Sequence, residues 1–163
     1  SRRRGDVVRE SVRQRVSLSP ESMNSSDRTS SPAPRQIGVA IVRHEDRILV
    51  GVRGEGVPLA GYAEFPGGKC EPGERPEACA CRECLEESAL AVEPIRCLLT
   101  ETHEYAHGTV ELNFWLCRPE RPADVQVRHQ GFFWIPVKEL SRWRFPEGNL
   151  RVVEILSELQ SPV

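Results

Sequence analysis

The chain has 163 residues, of which 39% are hydrophobic and 28% charged, a composition typical of one globular domain with a short extension. Residues 1–36 hold eight basic and four acidic residues, a net charge of +4, which leaves −6 for the rest of a chain whose net charge is −2. An acidic body argues against a nucleic-acid duplex as the main ligand, because duplex binding needs a clustered basic surface. The longest run of apolar or glycine residues, 37–42, is far shorter than the roughly 20 residues of a membrane span, so no membrane partner is expected.

The first 36 residues contain few large apolar side chains and have the composition of a disordered arm. Met23 is the only methionine, which favours a working start there and makes residues 1–22 an upstream extension of the reading frame. No signal peptide is visible, and the acidic residues of the arm argue against a transit peptide. We therefore expect a disordered arm at 1–36, a folded domain at 37–163 and a cytoplasmic location.

Within the domain, the predicted elements follow the order sheet, helix, sheet, helix. Strands are predicted at residues 37–42, 48–52, 64–65, 95–103, 109–117 and 132–137. The rest of the glycine- and proline-rich stretch 51–72 is expected to be loop. One helix should run from Pro76 to about Ser88, and a closing amphipathic helix should begin at about Asn149. This order predicts an α/β fold with a mixed sheet.

The six cysteines are unevenly distributed, and four of them fall within residues 70–84. That crowding is a poor disulfide framework for a chain of this length. On one helix, Cys79, Cys81 and Cys84 point in three directions, so these three cannot share one tetrahedral zinc ion. We interpret the cysteines as reduced thiols that serve as small apolar residues.

The predicted first helix carries Glu83, Glu86 and Glu87 within an arc of about 100°. Glu74, in the preceding loop, can approach the same region. Hard oxygen ligands suit Mg²⁺ or Mn²⁺, and such an ion would allow an acidic surface to bind a polyphosphate. An ordinary solvated acidic face is the alternative. The opposite side of the helix is expected to bury against the sheet and to leave the carboxylates on the open face; it carries Ala78, Cys81, Leu85 and Ala89.

The segment from Phe65 to Leu90 resembles the Nudix signature, G-x5-E-x7-R-E-U-x-E-E-x-G-U, in which U is a bulky apolar residue. The residues that match at the required spacings are Gly68, Glu74, Arg82, Glu83, Glu86, Glu87 and Leu90, with Cys84 at the first U position. Ala89 stands where the signature has glycine, which would permit a left-handed helix end, so the local turn is expected to differ. The resemblance implies a Nudix fold, a mixed sheet between helices, over about residues 37–159.

The same resemblance implies roles for the acidic cluster. A divalent cation, Mg²⁺ or alternatively Mn²⁺, would be held by the Gly67 carbonyl, Glu83, Glu86 and Glu87. Glu83 is the predicted general base, with Arg82 orienting it and Glu74 completing the catalytic set. Glu86 or Glu87 is the alternative base. Some family members use an acid outside the signature; Phe133 at the aligned position offers none, and the substitutes left open are Glu101, Glu104 and Glu111.

Four further features resemble the MutT-type branch of the family, which hydrolyses oxidised nucleotides. They are the opening strand from Ile37, Arg53 after the second strand, the segment 64–69, and Phe145-Pro146 followed by Asn149. In that branch the counterpart asparagine recognises the base. The predicted substrate-binding residues are therefore Arg53, Phe65, Lys69 and Asn149. Each also has a structural interpretation: a loop cation, a core aromatic, a solvated charge and a helix N-cap, respectively.

The resemblance thus implies a Mg²⁺-dependent hydrolase that converts a nucleoside triphosphate to the monophosphate and pyrophosphate. The favoured substrate is 8-oxo-dGTP, which would place the enzyme in nucleotide-pool sanitation and DNA repair. Other nucleoside triphosphates, ADP-ribose and dinucleoside polyphosphates are alternative substrates. A nucleotide-binding module without turnover is the alternative class. The expected partner is a small-molecule nucleotide, and the expected assembly is a monomer or homodimer.

Overall fold

The computed structural model describes residues 33–106 and 108–159. Most of the expected arm, including Met23, lies outside this part of the chain. Two residues assigned to the arm, Arg35 and Gln36, instead begin the first strand. Among the described residues, no helix combines the length and the apolar character that a membrane crossing requires.

The described chain forms a sheet of eight strands together with two α-helices. The strands are β1 (Arg35–His44), β2 (Arg47–Val52), β3 (Ala63–Glu64), β4 (Gly67–Lys69), β5 (Val92–Tyr105), β6 (Gly108–Pro119), β7 (Arg128–His129) and β8 (Phe132–Pro136). The α-helices are α1 (Pro76–Ser88) and α2 (Leu150–Leu159). Short 3-10 turns occupy Pro122–Asp124, Val137–Arg142 and Glu147–Asn149.

The sheet is mixed, as the sequence predicts. Its strand order is β5-β6-β1-β2-β8-β7, with β4 paired to β1 and β3 paired to β2. Strands β1 and β6 run parallel, from the pair Arg35 and Val110 to the pair Val42 and Cys117, and the other pairings are antiparallel. Strand β1 therefore lies at the centre of the sheet, between β6 on one edge and β2 and β4 on the other.

Both faces of β1 are buried because its side chains alternate between two cores. Val39 and Ile41 enter the core that contains Val153 and Leu156 of α2. Ala40 and Val42 enter the opposite core, which contains Ala80 and Cys84 of α1. The sheet thus lies between α1 and α2, and the predicted α/β architecture of a mixed sheet between helices is confirmed.

Helix α1 lies very close to the middle of the sheet. A Cβ atom on Gly38 of β1 would stand 2.8 Å from the Ala80 nitrogen and 2.8 Å from the Pro76 carbonyl oxygen. Real Cβ atoms do not approach backbone that closely, so glycine at position 38 is what lets the first turn of α1 rest on β1. Pro76 occupies the first turn, as expected, where its missing N–H costs no helix bond.

The predicted burial of α1 is wrong. The buried residues of the helix are Cys79, Ala80, Glu83, Cys84, Glu87 and Ser88. Ala78, Leu85 and Ala89, which we expected to face the sheet, are exposed, and Cys81 is half-buried. The contact at Gly38 fixes the helix rotation through its small residues 79 and 80, and this rotation turns Glu83 and Glu87 inward rather than towards open solvent.

Several element boundaries also differ from the prediction. The loop expected at Gly67 to Lys69 is strand β4, the short strand predicted at 64–65 begins one residue earlier, and β7 was not predicted. Strands β5 and β6 pair over almost their full lengths, so both are longer than their sequence patterns indicated. The closing helix begins at Leu150, one residue after the expected start.

Candidate active site

Arg82 lies at the centre of the acidic cluster. Its Nε and Nη2 donate to the two carboxylate oxygens of Glu74 at 2.8 and 2.9 Å, and its Nη1 donates to Glu83 at 3.1 Å and to Glu86 at 3.0 Å. Nη2 also donates to the Lys69 carbonyl oxygen at 3.1 Å. The structure therefore brings three of the predicted carboxylates together around the Arg82 guanidinium. Its positive charge compensates part of the repulsion among them.

Glu83 is the most deeply buried carboxylate of this cluster, with 4% of its surface exposed. Its Oε2 accepts a hydrogen bond from Arg82, whereas Oε1 is buried and has no hydrogen-bond partner within the described residues. Burial raises the pKa of Glu83 to about 7, and the neighbouring Arg82 charge opposes that rise. In contrast, the hydrogen bonds from Arg82 lower the pKa of Glu74.

Strand β4 presents two backbone positions to the cluster. Antiparallel pairs alternate between hydrogen-bonded and non-hydrogen-bonded positions. The Pro66 carbonyl accepts from the Ala40 N–H at 2.8 Å, and the Cys70 N–H donates to the Gln36 carbonyl at 2.9 Å. Gly67 and Lys69 therefore occupy non-hydrogen-bonded positions, and their N–H and C=O groups point away from β1.

These two backbone positions meet the polar residues of α1. The Gly67 N–H donates to Glu87 Oε1 at 3.1 Å, and the Lys69 carbonyl accepts from Arg82. Since the N–H and C=O of one strand residue point to the same side, the Gly67 carbonyl is directed towards the side where Glu87 lies. A Cβ atom on Gly67 would stand 2.7 Å from the Gly38 carbonyl oxygen, so glycine is required for this approach.

The arrangement fits a hard divalent cation. An unpaired, buried carboxylate oxygen on Glu83 has a large desolvation cost, which a cation would remove. The carboxylates bound to Arg82 and the backbone of Gly67 also offer oxygens, the ligand type that Mg²⁺ and Mn²⁺ prefer. Of the four predicted ligands, Glu83 and Glu86 share the Arg82 guanidinium, and Glu87 accepts from the Gly67 N–H.

The helix end after this cluster is left-handed despite the absence of glycine. Ala89 has φ 61° and ψ 17°, and its N–H donates to the Leu85 carbonyl at 2.9 Å. The expectation that the turn would differ is therefore wrong. Alanine adopts the conformation that glycine would favour, at a cost of roughly 1–2 kcal/mol for an L-residue in this region, and the spacing between the Glu83 to Glu87 segment and Leu90 is preserved.

The predicted substrate residues are less tightly grouped. Arg53 donates from Nε to the Pro58 carbonyl at 2.8 Å and from Nη1 to Glu64 at 3.4 Å, so it is tied to the loop between β2 and β3. Phe65 is buried and stacks on Phe145, with ring centroids 4.9 Å apart. This contact joins the start of the signature to the segment that leads to Asn149.

Lys69 and Asn149 occupy separate parts of the fold. Lys69 lies in β4 opposite Ile37 and contributes its carbonyl to the Arg82 network. Asn149 ends a 3-10 turn, and its N–H donates to the Pro146 carbonyl at 2.9 Å. Gly148 beside it packs against the His103 ring.

A cavity of about 670 Å³ lies beside the turn that ends at Asn149. Its lining residues are Leu59, Tyr62, Trp143, Arg144, Phe145, Glu147 and Leu150. The Arg144 guanidinium lies 4.8 Å from the Tyr62 ring centroid. None of these seven residues was predicted to bind substrate. The sequence feature that could have indicated the cavity is the group of aromatic residues around Phe145. The Lys69 carbonyl was also missed, because a backbone acceptor leaves no trace in residue identity.

The acids outside the signature have other surroundings. Glu101 of β5 lies 3.7 Å from His103 and 3.9 Å from Arg151. Glu104 and Glu111 lie on the paired strands β5 and β6, opposite Thr109 and Thr102. The contacts shown for Glu101 therefore connect it to the start of α2 rather than to the Arg82 cluster.

The chain is similar in sequence to known proteins. Residues 38–154 match the sequence model of the NUDIX domain family. The chain is 30% identical over 125 residues to the 8-oxo-dGTP diphosphatase of Escherichia coli (strain K12), covering 76% of this chain and 97% of that protein. It is 24% identical over 127 residues to the CTP pyrophosphohydrolase of the same organism, covering 77% and 93%.

A solved structure shows the same fold. The MutT protein of methicillin-resistant Staphylococcus aureus 252, described as a mismatch repair protein of the Nudix hydrolase family, superposes with a TM-score of 0.63 at 25% identity. The alignment covers 79% of this chain and 99% of that one. The segment containing Arg82 and its carboxylates thus lies inside a domain matched along almost its whole length.

Proposed function

The chain belongs to the NUDIX domain family, whose hydrolases act on nucleotide pyrophosphate bonds, and from that premise we propose that it is a Mg²⁺-dependent nucleoside triphosphate pyrophosphohydrolase that favours 8-oxo-dGTP. Water attacks a phosphorus of the triphosphate, and the products are the nucleoside monophosphate and pyrophosphate. The observation that carries the proposal is the Arg82 cluster. One guanidinium holds three carboxylates and leaves Glu83 Oε1 buried and without a partner among the described residues.

Glu83 is the group we assign to proton removal from the attacking water. Oε2 is held by Arg82, so the carboxylate is fixed in orientation, and Oε1 is the oxygen left to accept. Burial raises the pKa of Glu83 to about 7 in the metal-free protein, and a bound cation would favour the ionised carboxylate that can accept a proton. Glu86 and Glu87 are the alternatives, but Glu86 is more exposed and Glu87 already accepts from Gly67.

Arg82 and Glu74 are positioning residues in this scheme. The two hydrogen bonds to Glu74 fix the plane of the guanidinium, and the remaining Nη1 then points at Glu83 and Glu86. When bound by Gly67, Glu83, Glu86 and Glu87, a divalent cation supplies Lewis-acid polarisation of the phosphate oxygens. The carboxylates otherwise repel a polyphosphate, so occupancy by the cation and binding of nucleotide should be linked.

Substrate preference is proposed from the relatives and from the segment around Phe145. The related proteins are named for 8-oxo-dGTP and for CTP, so a purine and a pyrimidine nucleotide are the two candidates to separate. Stacking of Phe65 on Phe145 places the turn of Asn149 in fixed relation to the signature segment. We assign Asn149 to base recognition, and Arg53 and Lys69 to the surroundings of the phosphates.

The test is a hydrolysis screen of the full chain with Mg²⁺ against 8-oxo-dGTP, dGTP, CTP, ADP-ribose and a dinucleoside polyphosphate, with products identified by chromatography. We expect release of 8-oxo-dGMP and pyrophosphate with the highest kcat/KM in the set. A higher kcat/KM for CTP would transfer the assignment to a pyrimidine substrate. Absence of turnover on every nucleotide, with nucleotide binding retained, would favour the binding-module alternative instead.

A further inference from the structure

Two thiols and a carboxylate converge beside the Arg82 cluster. Cys70 follows β4, Cys79 lies in the first turn of α1, and Glu74 lies in the loop between them. The two sulfur atoms and a Glu74 oxygen all lie within 4.8 Å of one another. Both cysteines are buried, and neither is in a disulfide. These residues form a compact group of metal-ligand types that the hydrolytic scheme does not use as ligands.

The backbone around the three residues is fixed by hydrogen bonds. The Cys70 N–H donates to the Gln36 carbonyl at 2.9 Å, and the Cys79 N–H donates to the Arg75 carbonyl at 2.9 Å. The Glu74 N–H donates to the Glu71 carbonyl at 2.9 Å. The group therefore stands on a strand end, a tight turn and a helix start. On this fixed backbone, cation binding would draw the three side chains together until each ligand atom reaches a zinc distance of about 2.0–2.3 Å.

The donor set differs from that of the Glu83 cluster in chemical type. Two sulfur ligands select a soft or borderline cation such as Zn²⁺, whereas Mg²⁺ prefers oxygen alone. The sequence argument that Cys79, Cys81 and Cys84 cannot share one ion is unaffected, because the partner of Cys79 comes from the preceding loop rather than from the helix. The hydrogen bond between the two thiols lowers the pKa of Cys70 and, together with burial, raises that of Cys79, so the contact favours one thiolate rather than two.

We propose that Cys70, Cys79 and Glu74 form a binding site for a thiophilic divalent cation, with Zn²⁺ as the representative ion and water as its fourth ligand. Binding releases the two thiol protons to solvent and forms two metal–sulfur bonds and one metal–oxygen bond. The site is adjacent to the oxygen cluster of Glu83 but shares none of its predicted ligands.

Binding of a cation at this site should also inhibit hydrolysis, an inference that rests on the proposed hydrolase function. Both oxygens of Glu74 are bound by Arg82 at 2.8 and 2.9 Å, and Oε1 also accepts from the Glu71 N–H. A cation bound to Glu74 competes with the guanidinium for the same oxygens and repels its positive charge. It also removes the Cys79 hydrogen bond to the Gly68 carbonyl, 3.4 Å long, next to Gly67. Occupancy should therefore displace Arg82 from its position.

The binding test uses Co²⁺, which reports sulfur ligands by a thiolate-to-metal charge-transfer band in the near ultraviolet. The full chain, reduced with a phosphine and freed of metal, is titrated with cobalt chloride in excess Mg²⁺. We expect one equivalent to produce the band in the wild type and its loss in Cys70→Ser and in Cys79→Ser. Cys97→Ser, an exposed thiol on β5, and Cys81→Ser, a thiol beside Cys117, are the matched controls that keep the band.

Thermal melts of the variants separate a lost site from a lost fold. If wild type gives no band, or if the band survives in both folded Cys70→Ser and Cys79→Ser, the site does not exist. Cys79 is fully buried, so its substitution is the more disruptive of the two. If Cys79→Ser melts at a lower temperature than the wild type, the result for Cys70→Ser alone decides the question. This readout needs no turnover, so it stands even if the hydrolase proposal fails.

The inhibition test follows hydrolysis at saturating Mg²⁺ with increasing zinc chloride. We expect the half-inhibitory zinc concentration to rise by at least about tenfold in Cys70→Ser, since loss of even an outer contact costs 10–100-fold in metal affinity, while activity without zinc is unchanged. Equal zinc sensitivity of Cys70→Ser and Cys97→Ser would overturn the inhibitory role. If no nucleotide is hydrolysed at all, the inhibitory role fails with the proposed function, and the cobalt titration still decides the site.

Discussion

The guanidinium of Arg82 binds both carboxylate oxygens of Glu74, through Nε at 2.8 Å and Nη2 at 2.9 Å. This bidentate contact leaves Nη1 to donate to Glu83 and Glu86. The orientation of these two hydrogen bonds therefore depends on Glu74, eight residues earlier in the chain. A lysine has no planar fork and cannot make the same set of bonds. The identity of residue 82 therefore affects orientation as well as charge.

Arg82→Lys should lower kcat by roughly 10–100-fold, the range typical of losing a group that orients a ligand, with a smaller change in KM. Steady-state kinetics on the best substrate measure both parameters. Arg75→Lys is the matched control, because Arg75 is an exposed arginine paired with Glu77 outside the cluster. A kcat within twofold of wild type in Arg82→Lys would show that charge alone suffices at this position.

Glu83→Gln should lower turnover by roughly 10²–10⁴-fold, the usual contribution of a general base. The glutamine amide is close in shape to the carboxylate, so the fold should be kept. The amide cannot take a proton from water, so the general-base role should be lost. Single-turnover rates at saturating Mg²⁺ make the comparison, with Glu77→Gln on the same helix as the control. Near-normal turnover in Glu83→Gln would move the role to Glu86 or Glu87.

The metal-free protein should lose stability with rising pH because of Glu83. Burial raises its pKa from 4.5 to about 7, so the folded state holds the proton more tightly than the unfolded chain between these values. The stabilisation is complete below the unfolded pKa and is lost as pH rises through the folded pKa. As the pH rises from about 5 to about 8, the free energy of unfolding of the wild type should fall by about 3 kcal/mol more than that of Glu83→Gln. The size follows because one pKa unit corresponds to about 1.4 kcal/mol.

Urea unfolding of wild type and Glu83→Gln in a chelator, at about pH 5 and about pH 8, measures this difference. Glu74 titrates in both proteins, so its opposite contribution cancels. Saturating Mg²⁺ should flatten the difference, because a bound cation favours the ionised carboxylate. A stability difference that is the same at both pH values would contradict the shifted pKa.

Ala89→Gly should stabilise the protein by about 1 kcal/mol, because glycine adopts positive φ without the Cβ penalty that Ala89 carries at φ 61°. The melting temperature and urea midpoint report the gain. Ala78→Gly is the matched control: an exposed alanine inside the same helix, where glycine should cost about 0.5–1 kcal/mol. If both variants are destabilised alike, the left-handed conformation of Ala89 is not strained.

The sequence predicts those features that side-chain identity encodes. Helix α1 has the bounds expected from Pro76 and the signature spacing, and β1 and β2 follow from β-branched runs. Strand β4 was missed because Gly-Gly-Lys has no strand propensity; its pairing with β1 comes from tertiary contact. The buried face of α1 was predicted wrongly, since apolarity places Leu85 inside, whereas the close contact at Gly38 decides the rotation.

The sequence likewise predicts those parts of the candidate site that side-chain identity encodes. The spacing of Arg82, Glu83, Glu86 and Glu87 places them near one another on the helix, and Arg82 donates to Glu83 and to Glu86. The bond from the Gly67 N–H to Glu87 and the bond from Arg82 to the Lys69 carbonyl depend on the alternation of the β4 ladder, which side-chain identity does not encode. The proximity of Cys70 to Cys79 likewise depends on the turn between them, which the sequence pattern does not specify.

Asn149→Ala should reduce the preference for 8-oxo-dGTP over dGTP. Oxidation of guanine converts N7 from an acceptor into an N–H donor, and the Asn149 side chain offers both an acceptor and donors. The wrong base leaves a buried polar group unpaired at about 1–3 kcal/mol. If the Asn149 side chain acts on the base alone, its removal should leave the melting temperature nearly unchanged.

The measurement is the ratio of kcat/KM for 8-oxo-dGTP to that for dGTP in three proteins: wild type, Asn149→Ala and Asn149→Asp. Aspartate keeps the acceptor that an N7 donor needs and removes the amide donors, so it should retain more of the preference than alanine does. Hydrolysis of dGTP should continue in both variants, since the Arg82 cluster is untouched. A ratio that is unchanged in Asn149→Ala, together with a loss of about 0.5–2 kcal/mol in stability, would identify Asn149 as a helix cap. Base recognition would then have to be sought in the cavity lined by Tyr62, Trp143 and Arg144.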